Sequence, residues 1–347
     1  MTTHVFPFIK KIKLIFQSPP ELIYIPKSFL YILLILLQTP FHWIELILYK
    51  QKIKSHKIKH PPVIILGYWR SGTTYLQRML TVNKKTTYLS LYESILPLGS
   101  MIHSLFLEKI MNFIFKKIKI KHPLHRTNID TKFPSEEDIA LCCSAYEHTP
   151  MWAHVYSKKA KYFFNKYLVC KKESKEYLMF KKMYSYLVKK ISFQNPNKTI
   201  ILKSPCNTSK IKEIVEIFPN AKFIYISRNI NDVYYSNMKL LKTNKTQWLQ
   251  KMNKKERDEL FIYSYNQMIN YYNENKHIIP KDNLIEIKFE EFFKRPEYFI
   301  EQINSKLKIP YSKEDEKRYK KFILKYHGKN RYKYKKQLPK NIKEKIK

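Results

Sequence analysis

The sequence predicts an α/β fold, in which a parallel sheet is flanked by helices on both faces. Three observations carry this. Short apolar runs recur at 61–69, 198–204, 220–228 and 283–289 and read as buried strands. Helical stretches accompany them at 72–81, 207–217, 229–242 and on to about 306, and this alternation places a parallel sheet between helical layers. The section 90–192 lies between the first two strands and is mostly helical. It is a large insertion expected to cover the C-terminal edge of the sheet, where such sheets bind ligands.

Ahead of the first strand, residues 1–60 form an N-terminal hydrophobic helical segment. Its core, SFLYILLILLQTPFHWIELILY (28–49), has 22 residues and at ~1.5 Å per residue nearly matches a bilayer. Its strongest run, Phe29–Leu37, is only nine residues, and Gln38 and Pro40 interrupt it. His42, Glu45 and Lys52 then form a polar stripe at helical spacing. Lysines flank both sides, so charge sets no orientation, and no Ala or Gly offers a signal-peptidase site. The expectation is a helical hairpin or amphipathic pair on an anionic membrane surface, with the protein cytoplasmic and peripheral. The alternatives are packing on the α/β domain and a single-pass anchor. Residues 61–327 are expected to form that domain, and 328–347 a solvated basic tail.

Composition narrows the function classes. The 347 residues carry 66 Lys+Arg against 28 Asp+Glu, a formal charge of +38 that draws polyanions. But 58 of the 66 are Lys, and Ile, Asn and Tyr are also abundant, as an AT-rich genome would give. Most of the charge is therefore background, and no specific nucleic-acid partner is expected. With 44% apolar residues the chain can build a core, so wholesale disorder is excluded. Four glycines, none two apart, exclude the G-x-G-x-x-G dinucleotide fingerprint. Cys142, Cys143, Cys170 and Cys206 fit neither a disulfide scaffold nor zinc-ligand spacing and read as core; no metal is expected.

Scarcity makes each Gly and Arg informative. VIILGYWRSGTTYL (63–76) reads as strand, tight loop and helix, and holds two of the four glycines, Gly67 and Gly72. A loop feeding a helix N-terminus presents free amides and a positive dipole end, a P-loop-like phosphate cradle. Arg70 adds a cation, and Ser71, Thr73 and Thr74 add hydroxyls. Thr73 stands where a P-loop hydrolase has its Lys, so the loop suits a phosphate but is badly equipped for nucleotide hydrolysis. In FIYISRNINDVYYSN (223–237), Arg228 ends a strand and Ser236 lies about two turns into the next helix. Together they can grip a second phosphate, or Arg228 can simply pair with Asp232.

YWRSGTTY followed downstream by SRNINDVYYS resembles the sulfotransferases that use 3′-phosphoadenosine-5′-phosphosulfate (PAPS), in particular the W-R-S-G-T-T branch related to the tyrosylprotein enzymes. The resemblance covers about residues 61–327. It implies transfer of a sulfuryl group from PAPS to an acceptor hydroxyl of a glycan, lipid, tyrosine or small molecule. It also implies that Arg70, Ser71, Gly72, Thr73 and Thr74 hold the 5′-phosphosulfate, and Arg228 and Ser236 the 3′-phosphate. Lys203, in LKSP (202–205), is similar to the family's catalytic Lys and would neutralise the leaving phosphate oxygen. For the general base, Glu93 in LYES (91–94) resembles the family's Glu, whereas Glu136 or Glu137 falls in an acidic signature, FPSEEDIAL (133–141). There Ser135 and Asp138 also read as a capping box. His154 is a further candidate, and with Tyr146 and Trp152 a candidate pocket wall. YHGKNR (326–331), with His327, Lys329 and Arg331, is expected to close on the cofactor. The competing readings are a P-loop-type kinase or nucleotide hydrolase, and a non-catalytic protein binding polyanions or membranes through its charge.

Overall fold

A computed structural model describes residues 7–119, 129–144, 149–243, 249–327 and 337–346. The chain opens with α1 (Pro7–Gln17) and α2 (Ile25–Ser55), then β1 (Val63–Leu66), α3 (Thr73–Leu80) and β2 (Thr86–Thr87). The insertion holds α4 (Leu91–Ile95), α5 (Ser100–Ile118), α6 (Glu137–Cys143), α7 (Trp152–Val155), α8 (Ala160–Tyr167) and α9 (Lys175–Gln194). Next come β3 (Thr199–Lys203), α10 (Ile211–Ile217), β4 (Lys222–Ser227), α11 (Ile230–Thr243), α12 (Lys254–Asn275) and β5 (Leu284–Lys288). The chain ends with α13 (Phe289–Lys294), α14 (Pro296–Lys306), α15 (Lys313–His327) and α16 (Lys340–Lys343).

All five strands are parallel, in the order β2-β3-β1-β4-β5. Strand alternation sorts the core into two faces. Val63 and Ile65 pack with α3 and with Phe292, Ile300 and Phe322 from α13–α15. Ile64 and Leu66 face the other way, onto Tyr184, Ile214 and Tyr272 from α9, α10 and α12. Every residue of β1 and β3 is buried, which is why these strands read as unbroken apolar runs. β1 is flanked by β3 and β4: the chain leaves β1 for β2 and β3 on one side, then crosses from β3 over β1 to β4 and β5 on the other. That switch point puts the strand ends Leu66, Lys203 and Ser227 side by side.

Several expectations change. The interruption expected at Gln38 and Pro40 does not break the helix: α2 is continuous through both. Pro40 is exposed, and the neighbouring side chains bond back along the helix, Thr39 Oγ1 to Ile35 O at 2.7 Å and Gln38 Nε2 to Leu34 O at 2.9 Å. The expected helix at 207–217 is a 3₁₀ turn, Pro205–Ser209, followed by α10. β2 has two residues and no apolar run to betray it. α12 crosses a stretch too polar to suggest a core helix, yet buries Phe261, Met268 and Tyr272. Of the expected basic tail, the described residues 337–346 are mostly exposed yet touch the body at a few points. Ile342 is buried, Leu338 N donates to Asn231 Oδ1 at 3.1 Å, and Tyr235 OH donates to Gln337 O at 2.8 Å.

Candidate active site

The loop after β1 is built around backbone that few residues adopt. Gly67 has φ 144°, and a Cβ there would lie 2.6 Å from Ile226 O. Gly72, the N-cap of α3, has φ 105°, and a Cβ would lie 2.3 Å from the Phe289 ring. Arg70 takes a left-handed φ of 74°, strain of the kind that collects at functional loops. Ser71 closes the turn, its N–H and Oγ both donating to Tyr68 O, at 3.1 and 2.7 Å. Thr208 Oγ1 accepts from Gly67 N at 2.8 Å. The loop thus delivers the first amides of α3, with buried Ser71 and Thr73 and half-buried Thr74, to the sheet edge.

The second motif meets the first. Arg70 Nε donates to Ser236 Oγ at 2.8 Å, and Arg228 Nη1 to Arg70 O at 3.3 Å. Arg228 also stacks on Phe289, 4.6 Å from the ring centroid, and pairs with Asp232 at 3.1 Å. Arg228 is thus ion-paired with Asp232 and still lies in the cluster with Arg70 and Ser236. Its Nε is buried without an acceptor among the described residues, which leaves a donor that needs a partner. Asn237 Nδ2 fixes the loop from behind by donating to Trp69 O at 2.9 Å. Sequence reasoning missed Asn237 and Thr208, and only their place beside Ser236 and after the LKSP stretch could have flagged them.

On the other flank of β1, two separate sequence features form one constellation. Lys203 ends β3 and is 2% exposed, and its Nζ is ion-paired with Glu136. Glu137 accepts from Lys203 N and Asn207 Nδ2, both at 3.0 Å. Asp138 accepts from Ser204 Oγ and, at 3.0 Å, from Thr149 Oγ1. Three consecutive acidic residues thus clamp the KSP stretch. The capping-box alternative fails: Glu136 is the N-cap of α6, without a side-chain cap bond, and Ser135 Oγ instead pairs with Ser94 Oγ at 2.7 Å. Burial pushes the Glu137 carboxyl up to about 8, opposed by its two hydrogen bonds.

The other candidates stand elsewhere. Glu93 serves its own helix. Its carboxylate accepts from Ser90 N at 3.0 Å and Ser90 Oγ at 2.7 Å in a capping box, and it lines a narrow open-sided cleft of about 50 Å³ beneath α2. His154 packs edge-on against Trp69 and Phe164, and burial pushes it down to about 4, which keeps it neutral. Trp152 is core, with Lys11 Nζ 4.3 Å from its ring centroid. His327 closes α15, while Tyr146, Lys329 and Arg331 lie outside the described residues.

Residues 61–313 match the sequence profile of the sulfotransferase family, and the chain belongs to that family. The omega-hydroxy-beta-dihydromenaquinone-9 sulfotransferases Stf3 of Mycobacterium bovis and Mycobacterium tuberculosis are each 24% identical over 253 residues. The match takes in 72% of this chain and 63% of theirs, so the chain spans less than two thirds of these curated relatives. Among solved structures, sulfotransferase STF1 from M. tuberculosis H37Rv superposes with a TM-score of 0.71 at 14% identity, over 93% of this chain and 85% of that one. STF9 from Mycobacterium avium gives 0.66 at 16% identity, over 88% and 77%. At such identity these two matches speak for the fold alone.

Proposed function

We propose that the protein transfers a sulfuryl group from PAPS to an acceptor hydroxyl. One observation carries the reading: an Arg70–Arg228–Ser236 cluster and a Lys203–Glu136 pair flank the same β1 loop at the strand ends. The residues fit the nucleotide, since the α3 amides suit one phosphate and the unsatisfied Arg228 Nε, with Ser236, suits another. When bound, PAPS supplies the sulfuryl group and leaves as 3′,5′-adenosine bisphosphate (PAP).

The chain's residues divide the remaining work. The α3 amides, with Ser71, Gly72, Thr73 and Thr74, hold the 5′ end. Arg70 belongs with Arg228 and Ser236 on the 3′-phosphate, because its Nε already donates to Ser236 Oγ. Lys203 neutralises charge on the leaving oxygen. Glu136 takes the proton from the acceptor hydroxyl, its partly exposed carboxylate being the member of the acidic trio that an acceptor can reach. Glu137 is a positioning residue, pinning the end of β3 through Lys203 N and Asn207. The acceptor named for the mycobacterial relatives is an omega-hydroxylated dihydromenaquinone, and an alcohol carried by a largely apolar molecule is the acceptor class we favour. The test is thermal unfolding with PAP, with ATP and Mg²⁺ as control. PAP near 100 times its Kd adds ~2.7 kcal/mol, and Arg228→Ala should abolish the shift. No PAP shift, or an equal one with ATP, overturns the proposal.

A further inference from the structure

Helix α2 is inside out. Its buried residues are mostly polar, Ser28, Gln38, Thr39, His42 and Glu45 among them, while Phe29, Leu33, Leu37, Ile44 and Ile47 face outward. A surface helix of a soluble protein has the reverse pattern. The polar face is fastened to the domain. Glu45 forms a buried ion pair with Lys190 at 2.6 Å and accepts from Met101 N at 3.0 Å, and His56 bonds Ser192 Oγ at 2.9 Å. The start of α5 packs directly on α2: a Cβ on Gly99 would lie 2.5 Å from the Phe41 backbone, and Phe41 meets the rings of His103 and Phe106. The apolar surface continues along α5 at Leu105, Ile110, Phe113 and Ile118. Among the described residues, 21 of the 26 exposed large apolar side chains fall on α1, α2, the turn joining them, and α5. That concentration marks an interaction face rather than scattered surface.

Charge and geometry choose the partner. Exposed lysines rim the face: Lys50, Lys52 and Lys54 at the end of α2, and Lys109, Lys116 and Lys117 on α5. An apolar layer with a cationic margin complements an anionic lipid surface. A helix of 31 residues is long enough to span a bilayer. But α2 is held to the domain near both ends and at its middle, so a crossing would drag Glu45, Lys190 and the domain surface into hydrocarbon. The polar face of α2 also roofs the cleft, through His42 and Glu45. The opposite walls include Glu93 on α4, Leu141 on α6 and Tyr186 on α9. The same α6 carries Glu136 at its start.

We propose that the α2–α5 layer sinks into one leaflet of an anionic bilayer with α2 in the membrane plane, and that a membrane-resident alcohol reaches Glu136 and Lys203 through the cleft beneath α2. The route for the alcohol rests on the sulfotransferase reading; the docking does not. The test floats the full-length chain with vesicles of phosphatidylcholine alone or mixed with phosphatidylglycerol, comparing wild type with Leu37→Glu/Ile44→Glu and Phe113→Glu/Ile118→Glu. These positions are exposed, so folding is checked by the PAP-induced rise in melting temperature, which both variants should keep. Wild type should float with the anionic vesicles, and each variant should bind at least ~10-fold less. Trp43, exposed near the middle of α2, reports depth. In-plane docking predicts stronger quenching by a spin label high on the acyl chain than by one near its end. Failure to float, or equal floating of the variants, overturns the docking, and strongest quenching by the deep label overturns the in-plane arrangement. Transfer to a long-chain alcohol embedded in the vesicles should fall with binding, while transfer to a short soluble alcohol should not. Undiminished transfer to the embedded alcohol overturns the route. Loss of the PAP shift in wild type would instead fault the sulfotransferase reading and leave the flotation result standing.

Discussion

Replacing Lys203 by Met separates a catalytic cation from a structural one. Its side chain is 2% exposed and ion-paired with Glu136, whose side chain is 21% exposed. Removing one partner of a buried pair costs ~3–5 kcal/mol when the other is stranded. Glu136 is not stranded, because water reaches it, so we expect about 1–3 kcal/mol, a fall of several degrees in melting temperature. If Lys203 also steadies the leaving oxygen, turnover should fall about 10²–10³-fold, which corresponds to ~2.7–4 kcal/mol of transition-state stabilisation. The assay follows radiolabelled sulfuryl transfer from PAPS to a vesicle-embedded alcohol, with PAP binding measured beside it and expected to stay within about threefold. Glu136→Gln should lose as much turnover but little stability, and the double variant should not recover either loss. Turnover above about a tenth of wild type in Lys203→Met would refute the argument. So would rescue of Lys203→Met by Glu136→Gln, since the pair would then be a charge balance rather than machinery.

The other expectations concern neighbouring parts. Ser236→Ala should raise KM for PAPS about tenfold with kcat little changed, read from initial rates, because it removes a grip on a group that does not react. Gly72→Ala should destabilise by at least ~2 kcal/mol in chemical denaturation, and Phe289→Ala should rescue it only in part, since the clash goes but the φ of 105° stays. The folded-state pKa of His154, about 4, lies below that of the unfolded chain, so its contribution to stability is present above pH ~6.5 and is lost as pH falls toward 4. His154→Phe should flatten that acid limb in melts taken across pH, and no activity limb near pH ~6.5 should be traceable to this ring.

The loop and arginine cluster of the proposed site were legible in the sequence because they depend on rare residues. Gly67 and Gly72 are demanded by backbone and packing, and Arg70 and Arg228 are two of eight arginines in a lysine-rich chain. The Lys203 side of the proposed site was harder. Lys203 is one of 58 lysines, and what singles it out, pairing with Glu136 and seating on Glu137, joins positions 66 or 67 residues apart. Glu93 drew attention by its place after the first helix, but SLYE also spells a capping box, and the structure gives its carboxylate that role. Among the strands, β1 and β3 were visible through complete burial, whereas two-residue β2 shows no period at all.

The N-terminal segment shows why hydropathy alone could not decide its fate. A polar stripe at His42, Glu45 and Lys52 argued against a lipid span on the assumption that stripes face water. Here His42 and Glu45 face protein and only Lys52 is exposed. Buried polar groups are costly unless paired, and Glu45 finds Lys190 and Met101 N, while Gln38 Oε1 accepts from Leu98 N at 3.2 Å. Those partners lie 56 or more residues away, so nothing local in the sequence announces them. Once they are in place the apolar side is left exposed among the described residues. The same bonds that hold α2 to the domain therefore expose its hydrophobic face and roof the cleft leading toward α6. Anchoring and acceptor access then become consequences of one helix orientation. Lys190→Met should accordingly perturb vesicle binding and transfer to embedded alcohols together, although Lys190, which lines the cleft, meets neither the bilayer nor PAPS in this arrangement. Glu45→Met/Lys190→Met, which removes both charges, should restore both more fully than either single change.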